Sequence, residues 1–551
     1  MRLNHDKRRI AAAAAALALT LPVSGFAAGF PDVPAGHWAE TVIAQAAEAG
    51  IMQGDENGQF GLGRQVTKAE FSVMLVRLMG WETSGTVSEI TDISADDWYA
   101  GAISALWEHG AAQGATFRPN DPITREEMAV MLVRALGYDS LAETAGAAPF
   151  SDAGAYPGHI ALASGFGIIN GREDGTFDPY GSALREESAA MMMRLRDRYT
   201  HTLDWLHGFY AISSWSQKDM GGRMDSISFG WSRLEYSPGK GVWLNTTGEN
   251  GNDWRIPEGA QDALDYFAQK EIPGNLAVLM NTSQTVTDGT GDNACEAVLL
   301  NRERREAAAA AIAAEAQDYS GVTIDFEGMK GEALKQGLNQ FLSQLRGLLG
   351  EKTLYVAVHP VMDGAYFDAY DYRAIGETAD RVILMAHDYA ALTMPDNLRE
   401  AGFTDTPVTP FPAVYTALRA VCDPETGVAD RNKIALAVSL GNTAGWQVTD
   451  GKTVNAEAIH PSMETVQKRL KQADTQITYS PSYRNPRASY TDDTGSQVVL
   501  WYEDARSVAD KIRLARMFGV NGLSIWRLGI IPNDAADGIY YDIWNAIENE
   551  R

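Results

Sequence analysis

Gly321-Val322-Thr323-Ile324-Asp325-Phe326-Glu327 reads as a strand whose two faces differ in kind. Successive side chains of a strand point to opposite sides, so Val322, Ile324 and Phe326 share one face while Thr323, Asp325 and Glu327 share the other. The apolar face suits packing against helices, which turns both carboxylates inward at the strand's C-terminal end, roughly 7 Å apart by the rise per residue. On local evidence alone an acidic pair at a strand end is usually just solvated. Turned inward, the pair is costly unless it does chemistry. Crowding should raise the pKa of one of the two, as a general acid requires.

Similar apolar runs recur on both sides of this strand: HGFYAIS (207–213), DSISFGW (225–231), NLAVLMN (275–281), LYVAVHP (354–360), RVILMAHDY (381–389), KIALAVSL (433–440) and GLSIWRL (522–528). Helical stretches such as 302–316 and 332–349 fit between them. Eight strand-plus-helix units predict an α/β fold, a (β/α)8 TIM barrel over 207–551, with working residues at the C-terminal strand ends. The stretch 441–521 is too long for a simple connection and contains polar strand-like pieces at 476–479 and 497–502, so an α+β insertion is expected there. Trp526 shares a strand face with Ser524 at the end of the last strand, although a lone tryptophan there is ordinarily a core residue.

The region 29–200 repeats itself. FPDVPAGHWAE at Phe30, ITDISADDWYA at Ile90 and FSDAGAYPGHI at Phe150 place Asp32, Asp92 and Asp152 at equal intervals, with units near 29–80, 89–139 and 149–200. Each unit then runs through a small-residue turn and a phenylalanine (Phe60, Phe117, Phe177) into a segment beginning TKAE, TREE or LREE. Thr67 with Glu70 and Thr124 with Glu127 form capping boxes, and Phe71, Met74, Leu75 and Leu78 form an apolar stripe behind the first. The units are thus helix-loop-helix and should pack together as an α-helical three-repeat domain. The third departs, with Leu184 in the capping position and no tryptophan near His159. No Pro/Gly/Ser-rich linker separates the repeats from the barrel around 199–206, so the two should abut.

Lys7, Arg8 and Arg9 followed by an alanine-rich apolar run predict a signal peptide over 1–28, a secreted product and no transmembrane segment. A net charge of −26 disfavours nucleic acid, and any anionic ligand must be held by local cations. Cys295 and Cys422 could pair outside the cell or stay as buried thiols. No cofactor is implied.

The Asp-Val/Ile, His-Trp-Ala, Gly-Ile and Thr-Arg-Ala-Glu signatures of the repeats resemble S-layer homology domains. The resemblance implies binding of secondary cell-wall polysaccharide, attachment to the wall or S-layer, and roles for Lys68, Arg125, Arg185, Trp38 and Trp98. An anionic ligand at a helix N-terminus beside such cations is physically sensible. From periodicity alone the cations would be solvated first-turn residues and the tryptophans core. The stretch GVTIDFE, with GFY at 208–210, LWYEDARS at 500–507 and GLSIWRLG at 522–529, resembles family 18 glycoside hydrolases, closest in pattern to their spore cortex-lytic N-acetylglucosaminidase branch. The resemblance covers essentially all of 207–551. It implies cleavage of β-1,4 linkages in N-acetylated glycan of peptidoglycan or chitin type by substrate-assisted retaining catalysis. Glu327 would be the general acid/base and Asp325 would orient the acetamido group. Tyr210, Met385, Asp388 and Trp526 would line the subsite, with His387 or Tyr389 taking the place of the family's usual tyrosine. Glu503 and Asp504 also match the pattern. Ser320 and Thr323 stand where the fuller motif has aspartates.

Two other functions use the same residues. A non-catalytic surface glycan-binding protein fits the changes at Thr323 and His387, though the retained Asp325 and Glu327 weigh against it. A metal-dependent amidase or deacetylase could be built from Asp325, Glu327, His359, His387 and Asp388, but no His-x-His or His-Glu-x-x-His spacing supports it, and no metal site is expected.

Overall fold

The computed structural model describes residues 29–83, 89–152, 154–286, 291–360, 367–387 and 389–551, so the expected signal peptide at 1–28 lies outside them. Each N-terminal unit contributes a pair of helices: α1 (Glu40–Glu48) and α2 (Lys68–Met79), α3 (Ala100–Glu108) and α4 (Arg125–Ala135), then, after the single turn α5 (Asp139–Ala142), α6 (Pro157–Gly165) and α7 (Arg185–Thr200). Reciprocal capping boxes start α2 and α4. Leu184 has no side-chain acceptor, so α7 keeps only the returning half, in which the Leu184 N–H donates to Glu187 Oε2 at 2.8 Å.

The three units close on one another in a ring. The first residue of α2 donates its N–H to Asp121 O, that of α4 to Gly181 O and that of α7 to Arg64 O, at 3.0, 2.9 and 2.9 Å. Orphan donors at each helix start are therefore satisfied by the loop of the next unit. The repeated aspartate explains itself the same way. Asp152 accepts from the N–H groups of Phe177 and Asp178 at 2.6 and 2.9 Å, and these bonds hold its carboxyl below the usual range. Asp32 and Asp92 make the equivalent bonds to Phe60 and Phe117.

In the C-terminal part, eight parallel strands close into a barrel: β1 (Trp205–Tyr210), β2 (Ser226–Ser237), β4 (Gly274–Asn281), β5 (Gly321–Glu327), β6 (Thr353–Val358), β7 (Arg381–Leu384), β8 (Ile434–Ser439) and β14 (Gly522–Trp526). The order around it is β1-β14-β8-β7-β6-β5-β4-β2, closed by pairing of β1 with β2, so β5 lies opposite β14. The sequence pattern missed β3 (Gly241–Asn245), which pairs antiparallel with the long end of β2. The expected insertion is an antiparallel sheet ordered β10-β9-β13-β12-β11, comprising β9 (Ala444–Thr449), β10 (Lys452–Thr453), β11 (Gln476–Tyr479), β12 (Pro486–Thr491) and β13 (Gln497–Trp501), with a helix at Met463–Leu470. It ends earlier than 521, because Ala505–Met517 is a barrel helix that contacts β8 and α7.

Alternation along the strands sets the layers. Val322, Ile324 and Phe326 pack outward among the helices, whereas Trp205, Phe209, Ala277, Tyr355, Ala357, Ile383, Met385, Ala435 and Ala437 fill the lumen. The repeats abut the barrel through an aromatic seam in which Phe166 lies 5.2 Å from Phe518 and Tyr138 5.5 Å from Phe411. Among the described residues, no helix is long and apolar enough to cross a membrane, and Cys295 and Cys422 are both buried free thiols.

Candidate functional site at the barrel mouth

Asp325 and Glu327 end β5 on its inward face. Asp325 is 3% exposed, and its neighbour in register on β6 is Ala357. A methyl group offers no hydrogen-bond donor, and Asp325 Oδ1 has no partner among the described residues. Burial, with the nearby Glu327 charge adding to it, pushes the Asp325 carboxyl well above the usual range. The sequence expected one raised carboxyl in the pair, and the Asp325 carboxyl is raised because burial has taken its solvent away.

Beneath the acids lies an uncharged polar chain. Thr323 Oγ1 meets Ser228 Oγ at 2.6 Å, and Ser228 meets His207 Nε2 at 2.8 Å. His207 Nδ1 reaches Ser524 Oγ, also at 2.8 Å. Burial pushes the His207 pKa down to about 3, so the imidazole is neutral and can donate at one nitrogen while accepting at the other. Thr323 is thereby satisfied without charge.

The raised carboxyl has a consequence for stability. Asp325 binds its proton more tightly folded than unfolded, so its favourable contribution is complete below the unfolded pKa of about 3.9 and is lost as pH rises through the folded value. Asp325→Asn has no proton to lose and should melt above the native chain at neutral pH, with the gap closing as the pH falls toward 4. Thermal melts across that range check this, and a gap independent of pH would contradict it.

Other expected residues fall differently. Met385 faces the lumen and Trp526 stands at the end of β14. The Tyr210 ring packs outward against Phe229, Trp231 and Phe267 while Phe209 takes the inward position, yet Tyr210 is among the residues that line the cavity beside Trp526. Strand parity does not extend to His387 and Tyr389, because β7 ends at Leu384 and the Ala386 N–H turns back to Leu384 O at 2.9 Å. Both are partly buried in the segment after the strand. Asp388 lies outside the described residues. Glu503 and Asp504 are structural: Glu503 is buried against Lys511 at 2.8 Å, and Asp504 caps the helix Ala505–Met517. Among the described residues, no group of three or more His, Cys, Asp or Glu side chains is placed to hold a metal ion.

Trp254 was not singled out by any sequence pattern. Its indole lies 5.7 Å from that of Trp526, nearly parallel to it, and packs over Gly230, where a Cβ would come within 3.4 Å of the ring. Phe209 meets the Trp526 ring from another side at 5.1 Å. Beside this wall is a cavity of about 190 Å³ lined also by Asp253, Arg255 and Arg527.

In the repeats, Trp38 and Trp98 are 62% and 68% exposed, so neither is a core residue. Lys68, Arg125 and Arg185 are buried rather than solvated. Arg125 donates to Phe177 O and Asn170 O at 2.8 and 2.6 Å, and Arg185 donates to Phe60 O and Gln53 O, both at 2.7 Å. Lys68 pairs with Glu127. All three tie one unit to the next.

The family model for glycosyl hydrolases family 18 matches residues 289–530, and that for the S-layer homology domain matches 29–72, 89–129 and 149–189. Over 219 residues the chain is 28% identical to the cortical fragment-lytic enzyme of Bacillus subtilis, covering 38% of this chain and 47% of that one. Over 154 residues it is 31% identical to the S-layer protein sap of Bacillus anthracis, covering 27% of this chain and 19% of that one. The chain thus spans less than half the length of these curated relatives. The spore cortex-lytic enzyme SleL of Bacillus cereus superposes with a TM-score of 0.48 at 18% identity, covering 63% of this chain and 74% of that one. A chitinase from Chromobacterium violaceum superposes with a TM-score of 0.47 at 20% identity, covering 64% and 99%.

Proposed function

From a chain that carries three S-layer homology repeats and a family 18 glycosyl hydrolase domain, we infer a glycosidase held on a bacterial cell wall that cleaves β-1,4 linkages of N-acetylglucosamine-containing glycan. The observation that carries this reading is the inward carboxylate pair on β5, with Asp325 buried and its Oδ1 unpartnered at the barrel mouth. Two carboxyls on one strand face approach a sugar from the same side. That suits a proton donor beside a group that orients the substrate better than an acid facing a covalent nucleophile.

Glu327, the more exposed of the two, is the proton donor to the leaving oxygen. An acetamido N–H entering the lumen supplies the hydrogen bond that Asp325 Oδ1 lacks, which favours the Asp325 carboxylate and moves the pair's shared proton toward Glu327. The acetamido oxygen then attacks the anomeric carbon as the glycosidic bond breaks, and the Asp325 charge stabilises the cyclic cation that forms. Water activated by Glu327 opens it with retention. Trp526, standing across the barrel from β5, forms the apolar wall against which the sugar ring rests. Release of reducing ends from chitooligosaccharides or peptidoglycan glycan by the full chain tests this assignment.

The repeats act as the anchor, and secondary cell-wall polysaccharide is the polymer they hold. The exposed Trp38 and Trp98 are its contact residues. Lys68, Arg125 and Arg185 shape the grooves between units while holding the ring together. Trp38→Ala with Trp98→Ala should weaken binding of the full chain to isolated walls by roughly tenfold or more, as expected when aromatic contacts worth about 0.5–1.5 kcal/mol beyond their buried area are lost at two places. Co-sedimentation checks it. Equal binding by native and variant chains, or undiminished binding to walls stripped of secondary polymer, would reject the role.

A further inference from the structure

The cavity next to Trp526 contains two cations whose presence the hydrolytic scheme does not require. Arg255 follows Trp254 in the loop after β3, and Arg527 follows Trp526 after β14, so the two arginines flank the same stacked indole pair from different ends of the barrel domain. Neither forms a salt bridge among the described residues. Arg527 Nη1 donates to Ser213 Oγ at 2.7 Å, and burial without a facing carboxylate lowers its pKa. Arg255 is exposed, and among the described residues its side chain makes a single long contact, 3.5 Å from Nη1 to Asn252 O. The one acid lining the cavity, Asp253, is exposed and pairs with neither arginine among the described residues.

The loop that carries Arg255 is held firmly. Asn252 is fully buried, and its amide donates to the carbonyls of Asn245, Thr247 and Trp254 at 2.9, 3.1 and 2.6 Å. The Trp254 N–H donates back to Asn252 Oδ1 at 2.9 Å. In a chain of net charge −26, two guanidiniums with no salt bridge among the described residues, one half-buried and one exposed beside an aromatic wall, are a local exception. Guanidinium forks match carboxylates with paired, charge-assisted hydrogen bonds. A neutral N-acetylglucosamine polymer has no group that calls for them. The cavity, at about 190 Å³, has room for a substituent or a single ring rather than an oligosaccharide.

We propose that Arg255 and Arg527 form a subsite that reads a carboxylate substituent on the sugar lying beside the Trp254–Trp526 wall, selecting amino-sugar strands that carry free carboxylates over neutral ones. The selection rests on the glycosidase reading above and names its substrate class. On a peptidoglycan strand the nearest such group is the lactyl carboxylate, which is free only where the stem peptide has been removed. The preferred substrate is therefore a glycan already trimmed by an amide-hydrolysing step.

The test uses full-length Glu327→Gln, so that binding is read without turnover, in calorimetry at low ionic strength. The probes are peptide-free peptidoglycan oligosaccharides, the same oligosaccharides with their carboxyls reduced to alcohols, and the peptide-bearing strands. The carboxylate form should bind roughly tenfold or more tightly than the reduced form, as loss of charge-assisted hydrogen bonds implies, and more tightly than the peptide-bearing strand. Added Arg255→Gln and Arg527→Gln should bring the ratio of carboxylate to reduced affinity close to one. Arg255→Lys with Arg527→Lys should restore part of the ratio, because the charge returns without the fork. Equal affinity for the carboxylate and reduced forms overturns the proposal, as does a ratio unchanged by the two glutamines or failure to bind any of the strands. Tighter binding of the peptide-bearing strand moves the recognised carboxylate to the peptide and rejects the lactyl assignment. Reducing-end release by the native chain, followed in parallel, separates this from the hydrolytic reading: hydrolysis without charge preference rejects the subsite alone, and preference without hydrolysis rejects the catalysis alone.

Discussion

Glu327→Gln should leave the full chain folded and able to bind N-acetylated glycan while lowering hydrolysis by roughly 10²-fold or more, the usual contribution of a positioned general acid/base. The amide nearly matches the carboxyl in shape but cannot deliver a proton to the leaving oxygen or accept one from water. The geometry makes the result specific to this residue. Glu327 ends β5, opposite Asn281 of β4 in register, and is the more exposed member of the acidic pair. Asp325 is 3% exposed and sits one pleat deeper in β5, so under the proposed scheme it is not expected to take over proton delivery. The check is a paired measurement of turnover and glycan affinity on the same preparation. Turnover within a few-fold of native in a correctly folded variant would place the proton donor elsewhere.

Removing the acetyl group from the sugar at the cleavage position should lower turnover even further than the glutamine substitution, since it deletes the nucleophile itself. Retaining glycosidases with two separated carboxyls form a sugar ester on one of them, which requires an acid on each side of the ring. Here both carboxyls rise from one strand, and the face across the barrel is made by β14 and its tryptophan. In the proposed scheme the remaining candidate for attack is the substrate's acetamido oxygen, with Asp325 holding its N–H. A thiazoline analogue of the cyclic intermediate should inhibit for the same reason. Efficient cleavage of the deacetylated glycan, or a sugar ester trapped on any Asp or Glu, would overturn this mechanism and leave the hydrolase assignment standing.

The strands of the barrel were legible because their inward and outward residues differ so sharply: Val322, Ile324 and Phe326 against Thr323, Asp325 and Glu327 is a pattern that only a strand explains. The helix starts at Thr67 and Thr124 were legible through their capping chemistry, and Leu184 was correctly singled out as the exception. Parity failed where strands ended sooner than their apolar runs. The turn at Ala386 removes His387 and Tyr389 from the alternation. The cation assignments in the repeats needed the ring closure, because the carbonyls that bind Arg125 and Arg185 belong to other units. Trp254 and Arg255 carried no signal at all. They sit in an aperiodic loop after an unpredicted hairpin, and only closure of the barrel brings them to Trp526.

The most direct measurement is of new reducing ends, sized by mass, after incubation of the full chain with chitooligosaccharides and with peptidoglycan glycan, alongside Glu327→Gln. Release by the native chain of shorter N-acetylated fragments in the retained configuration, falling by roughly 10²-fold or more in the variant, is the predicted result. Intact glycan in every native reaction, or equal release by native and variant chains, would contradict the assignment of hydrolysis to the acidic pair on β5.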